Sequence, residues 1–228
     1  MARPAATPPR TALVAGATGL VGQALLAQLL DDDRYRKVEV VARRPLTSAL
    51  ARHPRLAVRI GDAAELAGEE PPADDVYIAL GTTIKVAGSE AAFRAVDFDL
   101  VVAIARAARR AGATRLGVIS ALGADATSLV FYNRVKGEME AAVRSLGYAS
   151  VVIARPSLLL GDRAALGQPT RRGEVWAARL LGPMLPLVPA GVRPIEGATV
   201  AAALIAALAD APALRVLSSA EMQRFARR

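Results

Sequence analysis

Ser120, Tyr132 and Lys136 are the residues of this chain whose types and spacing bear most directly on chemistry. A tyrosine and a lysine four positions apart project from the same face of a helix. A phenol with its ordinary pKa of about 10 is a poor base near neutrality, and an ammonium beside it stabilises the phenolate. A serine at a strand end, twelve residues before the tyrosine, can hydrogen-bond a substrate oxygen while the tyrosine gives or takes a proton there. The bland alternative is Tyr132 capping the core with Lys136 in solvent.

A second constellation lies near the start. Thr11 to Ala15 is an apolar run that breaks into Gly16-Ala-Thr18-Gly19-Leu20-Val21-Gly22 and then into a helical pattern through Leu30. A buried strand feeding a helix through glycines leaves backbone N–H groups and the positive helix end facing an anion such as a diphosphate. The spacing is one residue longer at the front than the common dinucleotide fingerprint. The next strand candidate ends in Arg43-Arg44-Pro45 with no acid. An acid there suits the ribose hydroxyls of NAD, whereas arginine pairs bidentately with a 2′-phosphate, so NADP is favoured over NAD. After the third strand Asp62 is either an acceptor for the adenine amino group or a helix cap. After the fourth, Leu80-Gly81-Thr82-Thr83 puts a glycine where backbone passes close to a cofactor, or forms a plain turn.

Other chemistries find no support. His53 is the single histidine and sits in the loop-like Arg52-His53-Pro54-Arg55. Asp31, Asp32 and Asp33 read as a solvated helix end without converging oxygen ligands, so no metal site is expected. Glu138 and Glu140 point to different sides of a helix and make no glycosidase-like pair. The chain has no cysteine, which rules out disulfides and thiolate chemistry and fits a reducing compartment. A cytoplasmic location is the expectation. The net charge of +8 comes almost wholly from arginines spread along the chain with few aromatics between them, which argues against nucleic-acid binding. Every apolar run is interrupted before the roughly 18 to 20 residues that a membrane span needs.

The elements that must position these residues are short β-rich runs alternating with helical patterns. Strands are predicted over residues 12–15, 38–42, 57–60, 75–80, 116–120 and 150–154, and helices over 21–31, 89–111 and 129–146, with a weaker one over 63–67. Alternation of this kind implies an α/β, doubly wound, mostly parallel Rossmann-type sheet of six to seven strands with helices on both faces. Residues 1–10 are expected to be a disordered leader, 11–161 the nucleotide-binding unit, and 162–228 a small substrate-side cap completing the same domain. That last part holds helix candidates over 173–181 and 197–209, a short apolar run over 214–217 and a terminal helix.

Taken in order, these motifs resemble the atypical short-chain dehydrogenase/reductases, most of all the Tat-interactive-protein-like group and its bacterial relatives. The resemblance rests on Gly16 to Gly22, Leu80 to Thr83, Ala87 to Asp97, Ser120 to Asp125, Tyr132 to Glu140 and Ala154-Arg155-Pro156-Ser157, with Pro194 to Leu208 similar to a late helix of the group. It implies that Gly16, Gly19 and Gly22 hold a pyrophosphate, with Thr18, Leu20 and Val21 in the same turn. Arg43 and Arg44 would meet the adenosine phosphate, Leu80, Gly81 and Thr82 the ribose region, and Lys136 the nicotinamide ribose, with Pro156 also beside the cofactor. Tyr132 would be the acid/base and Ser120 its partner. Where many members of the superfamily carry a helix asparagine, this chain has Asp97, either a relay through water or a helix salt bridge, the second being favoured. The implied activity is NADPH-dependent hydride transfer to a small carbonyl substrate, with an NADPH-binding regulator of little turnover and a sugar-nucleotide epimerase as alternatives. A homodimer is compatible with the sequence.

Overall fold

The structure is a computed structural model that describes residues 9–46, 48–61, 65, 72–161, 188–210 and 213–225. Asp62, the leader up to residue 8 and the helix candidates over 63–67 and 173–181 lie wholly or mostly outside those residues.

The strands are β1 (Arg10–Ala15), β2 (Tyr35–Ala42), β3 (Leu56–Ile60), β4 (Asp75–Ile78), β5 (Arg115–Ile119), β6 (Ser150–Arg155), β7 (Leu159–Leu160), β8 (Ile195–Glu196) and β9 (Leu214–Ser218). Seven of them form one sheet in the order β3-β2-β1-β4-β5-β6-β9, every pairing parallel. The apolar run over 214–217 is thus the edge strand of the main sheet beside β6. β7 and β8 make a separate small parallel pair.

The helices are α1 (Leu20–Asp31), the short α2 (Ile84–Ala87), α3, α4 (Phe131–Arg144), α5 (Gly197–Ala209) and α6 (Ser219–Phe225). α3 runs from Glu90–Arg94 through a π-helical segment, Ala95–Leu100, into Val101–Arg110. A single regular helix was expected there. The wider turn shifts the phase of the side chains after it, and such segments recur at functional sites.

Period-two alternation sorts the strand residues into two cores. Ala12 and Val14 of β1 and Val152 and Ala154 of β6 face α1 and α5, packing on Leu25, Leu29, Leu204 and Leu208. Their neighbours Leu13, Ala15, Val151 and Ile153 face α3 and α4, against Ile104, Ala108, Met139 and Val143. Full burial of each such leucine or isoleucine contributes about 1.5–3 kcal/mol. Seven of the 13 residues of α5 are alanine, which favours the helix and keeps its surface small enough to lie close on α1. At the amino ends of the strands Asp75, fully buried, binds Arg10, accepts from Arg115 Nε at 2.7 Å and from Tyr35 Oη at 2.7 Å, and Tyr35 in turn meets Tyr77 Oη at 2.8 Å. This network pins the end of the sheet opposite to the candidate site.

Candidate active site

β1 and β4 are neighbours, yet the chain leaves them in opposite directions across the sheet, to β2 and to β5. Parallel sheets open a crevice at the carboxyl ends of their strands at such a reversal. There the β1–α1 turn lies against the end of β4. Gly16 has φ +90°, and a Cβ on it would fall 2.6 Å from the Ala79 carbonyl carbon. A Cβ on Gly22 would fall 1.9 Å from the Gly16 carbonyl oxygen, so the first turn of α1 can close on the loop only with glycine. Gly19 caps α1 without a side-chain hydrogen bond, and no acid occupies the first turn. The helix therefore presents its unpaired N–H groups at the crevice.

A cavity of about 420 Å³ occupies the crevice, and its walls include Gly19, Leu20, Val21, Leu80, Gly81, Thr82, Asp97, Ser120, Tyr132, Lys136 and Pro156. A smaller hollow of about 70 Å³ adjoins it through Leu80 and is lined by Gly16, Thr18, Arg43 and Arg44. Of the sequence-derived site residues, all but Asp62 and Gly22 line these two spaces, and Gly22 lies behind the turn against the Gly16 carbonyl. A larger hollow of about 660 Å³ lies at the opposite ends of the strands, around Arg36, Glu39, Arg55 and Asp74, and contains none of them.

Ser120 follows β5 and is 4% exposed. Its Oγ is buried and has no hydrogen-bond partner among the described residues. Leaving a buried hydroxyl unpaired costs about 1–3 kcal/mol, so an acceptor from outside the chain has a place there. Tyr132 stands on the first turn of α4 with its ring 5.3 Å from that of Phe93, which fixes the phenol at the cavity wall. Its hydroxyl makes no hydrogen bond within the described residues. Lys136, one turn on, is almost completely buried, with Nζ 2.7 Å from Asp97 Oδ1 in an ion-pair contact. The other oxygen of Asp97 accepts from the Thr82 backbone N–H at 2.9 Å. Arg43 and Arg44, just past β2, are exposed and make no ion pair among the described residues, whereas Arg94, Arg115 and Arg155 are all engaged with acids. No cluster of three or more metal-ligating side chains occurs among the described residues.

A helix salt bridge was the expectation favoured for Asp97, with no partner assigned. The ion pair is real but spans two helices, and the π-helical segment that carries Asp97 had no signal in the residue pattern. Ser157, Leu158 and Leu159, which also line the cavity, were missed as well. Their position after the sixth strand was the available clue, since loops at the carboxyl ends line such crevices.

The profile of a family described as NAD(P)H-binding matches residues 16–179 of this chain. The chain belongs to the NAD(P)H-binding family. HTATIP2 of Rattus norvegicus is 34% identical over 181 residues, 78% of this chain and 72% of that protein. The mitochondrial protein fmp52 of Aspergillus fumigatus is 38% identical over 154 residues, 65% of this chain and 66% of its own length. FMP52 of Eremothecium gossypii is 35% identical over 154 residues, 67% of each chain. This chain spans about two thirds of the length of the FMP52 proteins that it matches. Among solved structures, MoeE5 in complex with UDP-glucose and NAD superposes with a TM-score of 0.66 at 18% identity, covering 95% of this chain and 81% of that one. UDP-glucose 4-epimerase of Thermotoga maritima gives 0.68 at 14%, covering 91% and 76%. This member of the NAD(P)H-binding family therefore has a Rossmann-like α/β fold, as the motifs predicted.

The same relatives correct one expectation. The FMP52 proteins are mitochondrial, and a cytoplasmic location for this family member does not stand. The physical reason is that an address is read from a targeting segment rather than from the folded domain, and the lack of cysteine does not discriminate among compartments. No helix among the described residues is long and apolar enough to cross a membrane.

Proposed function

We propose that this protein is an NADPH-dependent oxidoreductase acting on a small carbonyl compound. The observation that carries the reading is the buried, unpartnered Ser120 Oγ in the wall of the cavity that Tyr132 and Lys136 also line. When bound, the nicotinamide supplies a hydride to the carbonyl carbon. The carbonyl oxygen accepts a hydrogen bond from Ser120 and takes the phenolic proton of Tyr132, so that the C=O double bond becomes an alcohol. Lys136 stabilises the phenolate that results and holds the ribose, and Tyr132 regains a proton from solvent. General acid catalysis from one positioned side chain contributes typically 10²–10⁴-fold.

Gly16, Thr18, Gly19, Leu20, Val21 and Gly22 are assigned to the pyrophosphate turn, and Leu80, Gly81, Thr82 and Pro156 to the ribose and nicotinamide region. The uncapped start of α1 supports this, because its free N–H groups suit an anion. The preference for NADPH is supported by the exposed, unpaired Arg43 and Arg44 beside the smaller hollow, with no carboxylate between Val41 and Leu46. The test is a panel of aldehydes and ketones offered to the purified protein with NADPH, followed by loss of its absorbance. Turnover of at least one carbonyl compound is expected. NADPH binding with no turnover across the panel, or turnover of UDP-sugars without net NADPH loss, would contradict the reading.

A further inference from the structure

Among the described residues, Asp97 and Lys136 are the only charged groups that line the 420 Å³ cavity. They lie 2.7 Å from each other and balance. An anionic substrate brought in beside them would leave water without a free cation to meet it, and an unpaired charge in such a place is strongly disfavoured. Arg43 and Arg44 border the smaller hollow instead. The wall beyond Ser120 has the opposite character. The Ser120 N–H donates to the Ala154 carbonyl at 2.7 Å and the Leu122 N–H to the Pro156 carbonyl at 2.9 Å, so the loops after β5 and β6 leave the sheet tied together. Each loop gives the cavity wall an exposed leucine, Leu122 at 46% and Leu158 at 39%. A single exposed leucine on an outer surface needs no explanation. Two that line one cavity, with the half-buried Leu20 and Leu159 beside them, make an apolar surface next to a buried hydroxyl, the arrangement that receives a ligand with one polar end.

We propose that the substrate is an uncharged carbonyl compound with an apolar chain, its oxygen on Ser120 and its chain on Leu122 and Leu158. The proposal rests on the reading of this cavity as a carbonyl-reducing site. Hydride and the Tyr132 proton add across the C=O bond, giving an uncharged alcohol, and NADPH leaves as NADP⁺. The two leucines set the specificity, because each CH₂ group that they cover leaves water and tightens binding about two- to fourfold. Carboxylates and diphosphates are turned away by the lack of a free cation in the wall.

The test titrates the full chain, saturated with NADPH, with unreactive straight-chain primary amides from acetamide to octanamide, read by calorimetry. Affinity is expected to rise about two- to fourfold for each added CH₂ over several successive members. Succinamate, which carries a carboxylate, is expected to bind at least tenfold more weakly than butanamide. Leu122→Ser combined with Leu158→Ser should weaken hexanamide binding at least tenfold while NADPH affinity stays within twofold of native, and both sites are exposed enough for the variant to fold. Affinity independent of chain length, succinamate binding as tightly as butanamide, or native hexanamide affinity in the double variant would each overturn the proposal. Aldehydes of the same lengths form the second arm, with kcat/KM expected to rise by the same increment. Amides that bind as expected with no aldehyde reduced would sustain the apolar site and sink the oxidoreductase reading. Reduction of a charged carbonyl compound in preference to every neutral one would do the reverse.

Discussion

Lys136 Nζ and Asp97 Oδ1 lie 2.7 Å apart in the cavity, on helices that pack against each other on one face of the sheet. The pair makes this part of the cavity electrically balanced. The hydroxyls left without partners beside it are those of Ser120 and Tyr132, and both face the space where the account places a substrate oxygen.

Ser120→Ala should separate stability from function. The serine hydroxyl is buried without a hydrogen bond, so its removal is expected to leave the fold unchanged or up to about 1–2 kcal/mol more stable. Carbonyl turnover is expected to drop about 10²–10³-fold, as for loss of a donor to a developing oxyanion. Thermal melts and steady-state kinetics on the same preparation check both halves. A marked loss of stability would mean that the hydroxyl has a structural partner.

Gly22→Ala places a methyl carbon 1.9 Å from the Gly16 carbonyl oxygen, with backbone on the receiving side. Overpacking of this kind costs about 1–3 kcal/mol or more, and the turn must open, so NADPH affinity should fall at least tenfold. Gly88→Ala is the control. Its backbone is left-handed, φ +89°, unlike that of Gly22, and a Cβ there meets nothing within 4 Å, so it is expected to lose only about 1 kcal/mol from backbone strain with cofactor affinity retained. Equal loss of affinity in both variants would contradict the assignment of the effect to the close approach at Gly22.

Arg43→Ala and Arg44→Ala should each weaken NADPH binding, the double variant by at least tenfold, while NADH binding changes less than threefold. Titration with the two dinucleotides in parallel reads the difference. Parallel losses for both would remove the 2′-phosphate assignment.

How much of this was readable in the residues depends on range. The glycine turn, the Arg43–Arg44 strand end and the Tyr132–Lys136 turn are local patterns, fixed by strand and helix periods and by which residue types each junction tolerates. Ser120 was readable because a strand end is where an α/β sheet exposes its functional groups. Asp97 was singled out and a salt bridge expected of it, but its partner was not readable, because Lys136 lies on another helix and the π-helical turn that aims Asp97 leaves no period to detect. The apolar run over 214–217 was legible, but its place as a strand beside β6 depends on which edge remained open after the other six had paired. The location expected for the chain failed for a different reason, since no contact in the fold carries that information.

Alkaline stability should report the Asp75 network. Burial, then the neighbouring Tyr77 and Asp75, push the Tyr35 phenol far above its ordinary value, and burial and Asp75 do the same for Tyr77. In the unfolded chain both titrate near 10. A phenol whose pKa is higher in the fold holds its proton more tightly there, so its contribution is complete below about pH 10 and is lost as pH rises above it. The Tm is expected to fall steeply above about pH 10, and Tyr77→Phe to flatten that fall although it lowers the Tm at pH 8. An unchanged slope in Tyr77→Phe would contradict the assignment.

The most direct test of the central claim compares native protein with Tyr132→Phe on a carbonyl compound that the native protein reduces, following NADPH oxidation and NADPH affinity together. A fall in kcat of about 10²–10⁴-fold is expected, with affinity for NADPH within twofold of native, because the phenyl ring keeps its contact with Phe93 and only the proton donor is gone. A Tyr132→Phe protein that oxidises NADPH at the native rate would contradict it.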